Sequence, residues 1–314
     1  MRNKSNQALV KILFFGIIVV LCFPFHWISS LVALLFGLLF AIVFGNPYQQ
    51  KSERITKYLL QLSIIGIGFG TSAITALELG FYSFGLIFSF ILITLFLGLL
   101  FGKMFNIDTK ISHLITSGTA ICGGSAIVAI SPVIKANEKQ MSVALGTVFV
   151  LSALALFIFP IVGMYFNLSQ QQFGIWAALA IHDTGSVLGA ASDYGEKALE
   201  VATTVKLGRV LFIIPLVFLE VYLFKGSNRK FFFPYFIVLF LAAMLINSSF
   251  PEYAETFSFI KLLAKKGLVI TLFLIGANLS FKNLKSVGVK PFLQGFLLWI
   301  LVSVSSLITI LYLF

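Results

Sequence analysis

The sequence predicts an all-α polytopic membrane protein of about 11 transmembrane helices: one extra N-terminal helix, then two inverted five-helix repeats with broken helices. Three observations carry this. Of 314 residues, 59% are hydrophobic, with 36 phenylalanines, and the mean hydropathy is +1.04. Only 11% are charged, against about 25% in a soluble domain, so water could not solvate a globule of this composition. Apolar runs close to the length of a bilayer span recur along the chain, separated by short polar segments.

Arg2, Lys4 and Lys11 precede an apolar run, as in a signal peptide. No small-residue cleavage site follows, only Phe23-Pro24-Phe25-His26-Trp27. The run is therefore read as an uncleaved first span, within residues 1–27. Candidate spans cover 11–25, 28–45, 56–77, 81–102, 111–136, 140–166, 173–191, 198–224, 231–247, 256–279 and 291–313. Connections are short and leave no room for a soluble domain.

The net charge of +11 does not indicate nucleic acid. Lys and Arg cluster between apolar runs, the pattern of cytoplasmic loops facing anionic lipid. With the N-terminus cytoplasmic, stretches 46–55, 103–110, 226–230 and 280–290 lie inside and each carries several cations. Glu78, Glu252 and Glu255 fall outside, as does the C-terminus. Lys135 and Lys139 dissent, since a full span at 111–136 would place them outside. Full spans are the preferred reading for 111–136 and 173–191, but hairpins returning to their own side would remove the conflict.

Beyond the first span, residues 28–166 and 167–314 each hold five spans, and an odd number inverts the second set relative to the first. The fourth member of each set carries a glycine-containing interruption. Ser117-Gly118-Thr119-Ala120-Ile121-Cys122-Gly123-Gly124-Ser125-Ala126 weakens the fifth span. A break there exposes peptide groups that lipid cannot satisfy, so it belongs beside protein or a wet cavity. A half-helix starting near Ser125 would aim its N–H groups at an anion. Thr119, Cys122, Gly123, Gly124 and Ser125 are therefore candidate substrate-binding residues; small-residue packing is the alternative. Gly276 and Asn278 allow a matching break, with Asn278 a candidate ligand or else a helix cap. Gly66, Gly68 and Gly70 read as packing positions.

Ionisable residues inside apolar runs are costly and face protein or water. His182 and Asp183, followed by Gly185 and Ser186, resemble another interrupted helix, and both are candidates for coupling to H⁺ or Na⁺. Lys206 and Arg209 share a helix face. They either form buried pairs with Asp183 and Glu200 or await an anionic substrate, which Arg grips bidentately. Snorkelling is the alternative for Lys206. Pro160 and Pro215 are expected to kink their spans. Cys22 and Cys122 make no disulfide framework or zinc spacing. The chain has no Walker loop, no GxSxG and no HExxH, so neither an enzyme nor a cofactor is expected.

The segments 118–126, His182-Asp183-Thr184-Gly185-Ser186-Val187 and Val205-Lys206-Leu207-Gly208-Arg209 resemble signatures of the YeiH-type sulfate exporter family, in the same order and over nearly the whole chain. Gly208 departs from the polar residue some relatives carry there. The resemblance implies a place near the bile-acid/sodium symporters and cation/proton antiporters, with two inverted repeats of five helices and broken helices that cross. The expected function is secondary active transport of a small anion such as sulfate or an organosulfonate. It would proceed by alternating access in a bacterial cytoplasmic membrane; a passive anion channel is the second reading. A homodimer is compatible with the sequence.

Overall fold

Apolar helices dominate wherever the chain is described. The computed structural model describes residues 4–22, 29–224, 234–278 and 288–313, and every regular element among them is helical. These are α1 (Lys4–Cys22), α2 (Ser30–Val43), α3 (Gln49–Gly68), α4 (Ala73–Met104), α5 (Thr109–Ala120), α6 (Gly124–Ile130) and α7 (Glu138–Tyr165). Then follow α8 (Gln170–Ala180), α9 (Thr184–Tyr194), α10 (Glu196–Leu211), α11 (Ile213–Leu223), α12 (Tyr235–Ser249), α13 (Ala254–Asn278) and α14 (Val289–Leu313). A 3₁₀ turn, Pro251–Tyr253, precedes α13. Ser83–Met104, α7, Glu196–Leu223 and α14 are long and apolar enough to cross a membrane, and shorter apolar helices accompany them. The chain is a polytopic helical membrane protein. Trp27 and most of the basic stretches 226–230 and 280–290 lie outside the described residues.

The chain forms two compact units, one from Met1–Ser72 with Phe236–Phe281, the other from Ala73–Tyr235 with Lys282–Phe314. In the first, α13 packs against α2 and α3. A Cβ on Gly276 would fall on the Leu34 carbonyl oxygen, and one on Gly37 on that of Phe273. Both glycines thus let α2 and α13 meet backbone to backbone. Phe14 closes the contact, with its ring 5.3 Å from Phe40 and 5.5 Å from Phe273.

The break expected near Gly276 is absent: α13 runs unbroken through it to Asn278. The glycine removes a side chain from a helix crossing and leaves the helix's own hydrogen bonds intact. Asn278 is part of a polar tie, accepting from Asn46 Nδ2 at 2.7 Å and donating to Thr56 Oγ1 at 3.3 Å. Gly66 and Gly68 pack as expected, against Ala264 and against the Phe240 backbone.

The second unit holds α4 to α11 and α14. Gln294 of α14 is fully buried, with Nε2 2.8 Å from both Gly98 O and Ser112 Oγ. It fastens α4 and α5 together. At Phe212 the helix breaks between α10 and α11, three residues before Pro215, whose missing N–H cannot bond the Leu211 carbonyl. Pro160 sits inside α7 without interrupting it.

Candidate functional site

The expected break in the fifth span is present. Helix α5 ends at Ala120 and α6 begins at Gly124. Gly123 makes the corner at φ 68°, ψ −121°, a conformation that side chains disfavour. The two legs do not form a full span. Lys110 Nζ donates to Lys135 O at 2.7 Å, and Gln140 Nε2 donates to Asp108 Oδ1 at 3.0 Å. The segment therefore leaves and returns at one mouth. Asp108 caps α5, and the Asn137–Gln140 capping box starts α7 at the same place.

The seventh span is built the same way. Helix α8 ends at Ala180 and α9 starts at Thr184, with Ile181-His182-Asp183 extended or irregular between them. The Asp183 carboxylate accepts from Ser186 N at 3.1 Å and so caps α9. At the mouth, Tyr194 OH donates to Leu168 O at 2.7 Å, and Gln170 Oε1 accepts from Lys197 N at 2.9 Å. Both segments preferred as full spans are hairpins. An apolar run of this length suits either form, and the glycine corner and the acidic cap decide between them.

The hairpins enter from opposite ends of the second unit. One mouth adjoins the start of α7 and the other its end, and 28 residues of helix separate them by about 42 Å. Legs of 12 and 11 residues reach about 17 Å each, so the tips meet near mid-depth. A Cβ on Gly123 would lie 3.3 Å from Asp183 Cα and N. Asp183 N–H also donates to Ser152 Oγ at 3.1 Å, midway along α7.

Lys206 and Arg209 are fully buried and face these tips. Arg209 Nε donates to Ala120 O at 2.7 Å and Nη2 to Thr119 O at 2.9 Å. Its Nη1 donates to Ala178 O at 3.2 Å and to Leu179 O. Lys206 Nζ donates to Ile181 O at 2.6 Å and Ala178 O at 3.3 Å. These are carbonyls that a helix leaves orphaned at its C-terminal end, where a cation also answers the macrodipole. One guanidinium thus ties the two hairpins together. The expectation that Asp183 and Glu200 hold the cations is corrected: carbonyls hold them, Glu200 pairs with Lys197 at 3.1 Å, and Asp183 caps α9. Snorkelling of Lys206 is likewise replaced by burial.

Beside these bonds stand polar atoms without partners among the described residues: both ring nitrogens of His182, Thr119 Oγ1 and Ser117 Oγ. His182 is 1% exposed, while Thr119, Ser117 and Cys122 are 0% exposed. Asp183 and Gly124 are partly exposed, and Ser125 is exposed. The fold thus gathers Thr119, Cys122, Gly123, Gly124, Ser125, His182, Asp183, Lys206 and Arg209 at one junction; Asn278 belongs to the other unit. Sequence reading missed Gln294 and the pair of His113 with Glu220, 3.1 Å apart across α5 and α11. A glutamate inside the apolar run of α11 was the available signal for the pair.

Cysteines introduced singly at Lys103 and Lys139 are expected to react with a membrane-impermeant maleimide from one face of the membrane, and those at Gln171 and Glu196 from the other. Labelling of Lys103→Cys and Lys139→Cys from opposite faces would contradict the hairpin at 111–136.

The family model described as conserved hypothetical protein 698 matches residues 7–295. A UPF0324 membrane protein of Bdellovibrio bacteriovorus is 47% identical over 314 residues, 97% of this chain and 95% of that one. One from Porphyromonas gingivalis is 50% identical over 296 residues, 92% and 89% of the two chains. One from Bacteroides thetaiotaomicron is 48% identical over 288 residues, 90% and 86% of the two. No solved structure matches the chain at a comparable standard.

Proposed function

The chain belongs to the UPF0324 membrane proteins, the conserved hypothetical protein 698 family, and from that premise we propose that it is a secondary active transporter of a small anion. The observation that carries the reading is the junction of two opposed hairpin tips at mid-depth. Two fixed cations back it, and His182 and Thr119 offer polar atoms within it that have no partner among the described residues. Irregular backbone at membrane depth belongs beside a site or a cavity, and opposed broken elements are a common transporter plan. Sulfate and organosulfonates are the proposed substrates, in keeping with the resemblance to sulfate exporters. Thr119, Cys122, Gly123, Gly124 and Ser125 would contact the anion, and Lys206 and Arg209 would act through their field from behind the carbonyls. His182 and Asp183 would couple alternating access to H⁺ or Na⁺. No enzymatic role is proposed.

The proposed setting is the bacterial cytoplasmic membrane, with the N-terminus inside and the C-terminus outside. Two hairpins in place of two crossings leave about nine crossings and preserve both termini. They also return Lys135 and Lys139 to the side of Lys103 and Lys110, which removes their conflict with the positive-inside rule.

Proteoliposomes loaded against a pH or Na⁺ gradient test the reading by uptake of labelled sulfate and labelled methanesulfonate. Uphill accumulation is expected, and a passive channel would give none. Thr119→Val and His182→Gln are expected to slow uptake about tenfold or more, the worth of one hydrogen bond to a charged group, without lowering the unfolding temperature. Unchanged uptake in both variants would remove the junction as the site.

A further inference from the structure

In transporters, the C-terminal ends of half-helices and unwound carbonyls are where a coupling Na⁺ is held. In this chain eight of the carbonyls around the two helix ends are already filled. Around the end of α5, Ser117 O accepts from Ile121 N and Gly118 O from Gly123 N, while Thr119 O and Ala120 O accept from Arg209. Around the end of α8, Ala177 O accepts from Ile181 N. Ala178 O, Leu179 O and Ile181 O accept from Arg209 or Lys206. Each of these carbonyls has a donor that belongs to the chain itself.

The charges at the tips do not cancel. Lys206 and Arg209 stand against one carboxylate, that of Asp183, which caps α9. The dipoles of the four hairpin helix ends, each equivalent to roughly half a charge, oppose one another in pairs. Glu220 lies toward the other end of α10–α11, beside His113. Among the described residues at the tips, this formal count leaves one positive charge in excess. Within the same junction, His182 has two ring nitrogens and Thr119 a hydroxyl without partners among the described residues, and both residues are buried. Neutral imidazole carries one N–H in either tautomer and the hydroxyl carries an O–H, so each can donate to an anion. A single negative charge neutralises the junction, whereas a dianion leaves an excess that low-dielectric surroundings penalise.

We propose that Lys206 and Arg209 are tethered replacements for a coupling cation, so that the tip junction binds one monovalent anion and binds it without Na⁺. The inference rests on the transport reading for the place of the anion, and it narrows both the substrate charge, counted with the Asp183 carboxylate ionised, and the coupling, from which it removes Na⁺.

Thermal unfolding of the full chain in detergent tests it. Sodium gluconate and choline gluconate at equal ionic strength are expected to give the same unfolding temperature; a saturable rise with Na⁺ would overturn the tethered-cation assignment while leaving transport intact. In choline salts, methanesulfonate and sulfate present similar tetrahedral oxygen heads with different charge. Methanesulfonate is expected to raise the unfolding temperature with a midpoint about tenfold below that of sulfate. Sulfate acting equally or better would overturn the charge count. Thr119→Val is expected to lose the methanesulfonate response, and its retention would move the site elsewhere. No response to either anion, in Na⁺ or choline, would remove the anion site and the transport reading with it.

Discussion

Arg209→Ala is expected to unfold much of the second unit rather than merely weaken binding. The side chain donates to Thr119, Ala120, Ala178 and Leu179 carbonyls, and of these Ala178 alone keeps a second donor among the described residues, Lys206 Nζ. Each carbonyl left without a donor costs about 1–3 kcal/mol, so the loss rivals the 5–15 kcal/mol that is typical of a whole domain. Arg209→Lys keeps the charge but loses the planar fork. One ammonium cannot reach both tips, so an intermediate loss is expected. Arg54→Ala, at an exposed position, serves as the control and is expected to change nothing. Membrane yield and unfolding temperature are the readouts. An Arg209→Ala protein as stable as its parent that fails only in anion uptake would restore the role of direct substrate ligand and contradict the capping role.

Gly123→Ala is expected to be the most damaging of the glycine substitutions at the tips. Its φ of 68° with ψ of −121° costs a side-chain-bearing residue about 1–3 kcal/mol. The added Cβ would also sit 3.1 Å from Val148 Cγ1 and 3.3 Å from Asp183 Cα and N. The last two are backbone atoms of the facing tip and cannot swing aside. The tips should separate, lowering the unfolding temperature and abolishing uptake together. Gly124→Ala is the contrast: its nearest neighbour is the far end of the Phe149 side chain at 2.9 Å, which can swing aside about χ1, and its backbone is helical. Equal effects from the two would show that crowding alone matters and that the Gly123 corner has no special part.

Composition and residue chemistry settled several things on their own. An apolar chain with few charges must use lipid as solvent and close its hydrogen bonds within helices, because hydrocarbon satisfies no peptide group. Gly123-Gly124 and His182-Asp183 marked their breaks because glycine tolerates the corner and a carboxylate caps the helix that follows. Lys206 and Arg209 announced an interior polar site, since mid-span cations require partners.

Those same residues did not say who the partners were. That the cations cap two helix ends rather than face Glu200 depends on chain segments some 25–90 positions away in sequence, brought together only by folding. Gly276 and Gly123 are the same residue type with opposite outcomes. One meets the backbone of α2 and keeps its helix, and the other turns a corner against Asp183. Length could not separate a hairpin from a span either, and the misplaced Lys135 and Lys139 were the sole hint. Side-chain chemistry and hydropathy are local and can be read along the chain. Which carbonyl meets which donor is a property of packing, and for this protein that pairing decided the architecture of the candidate site.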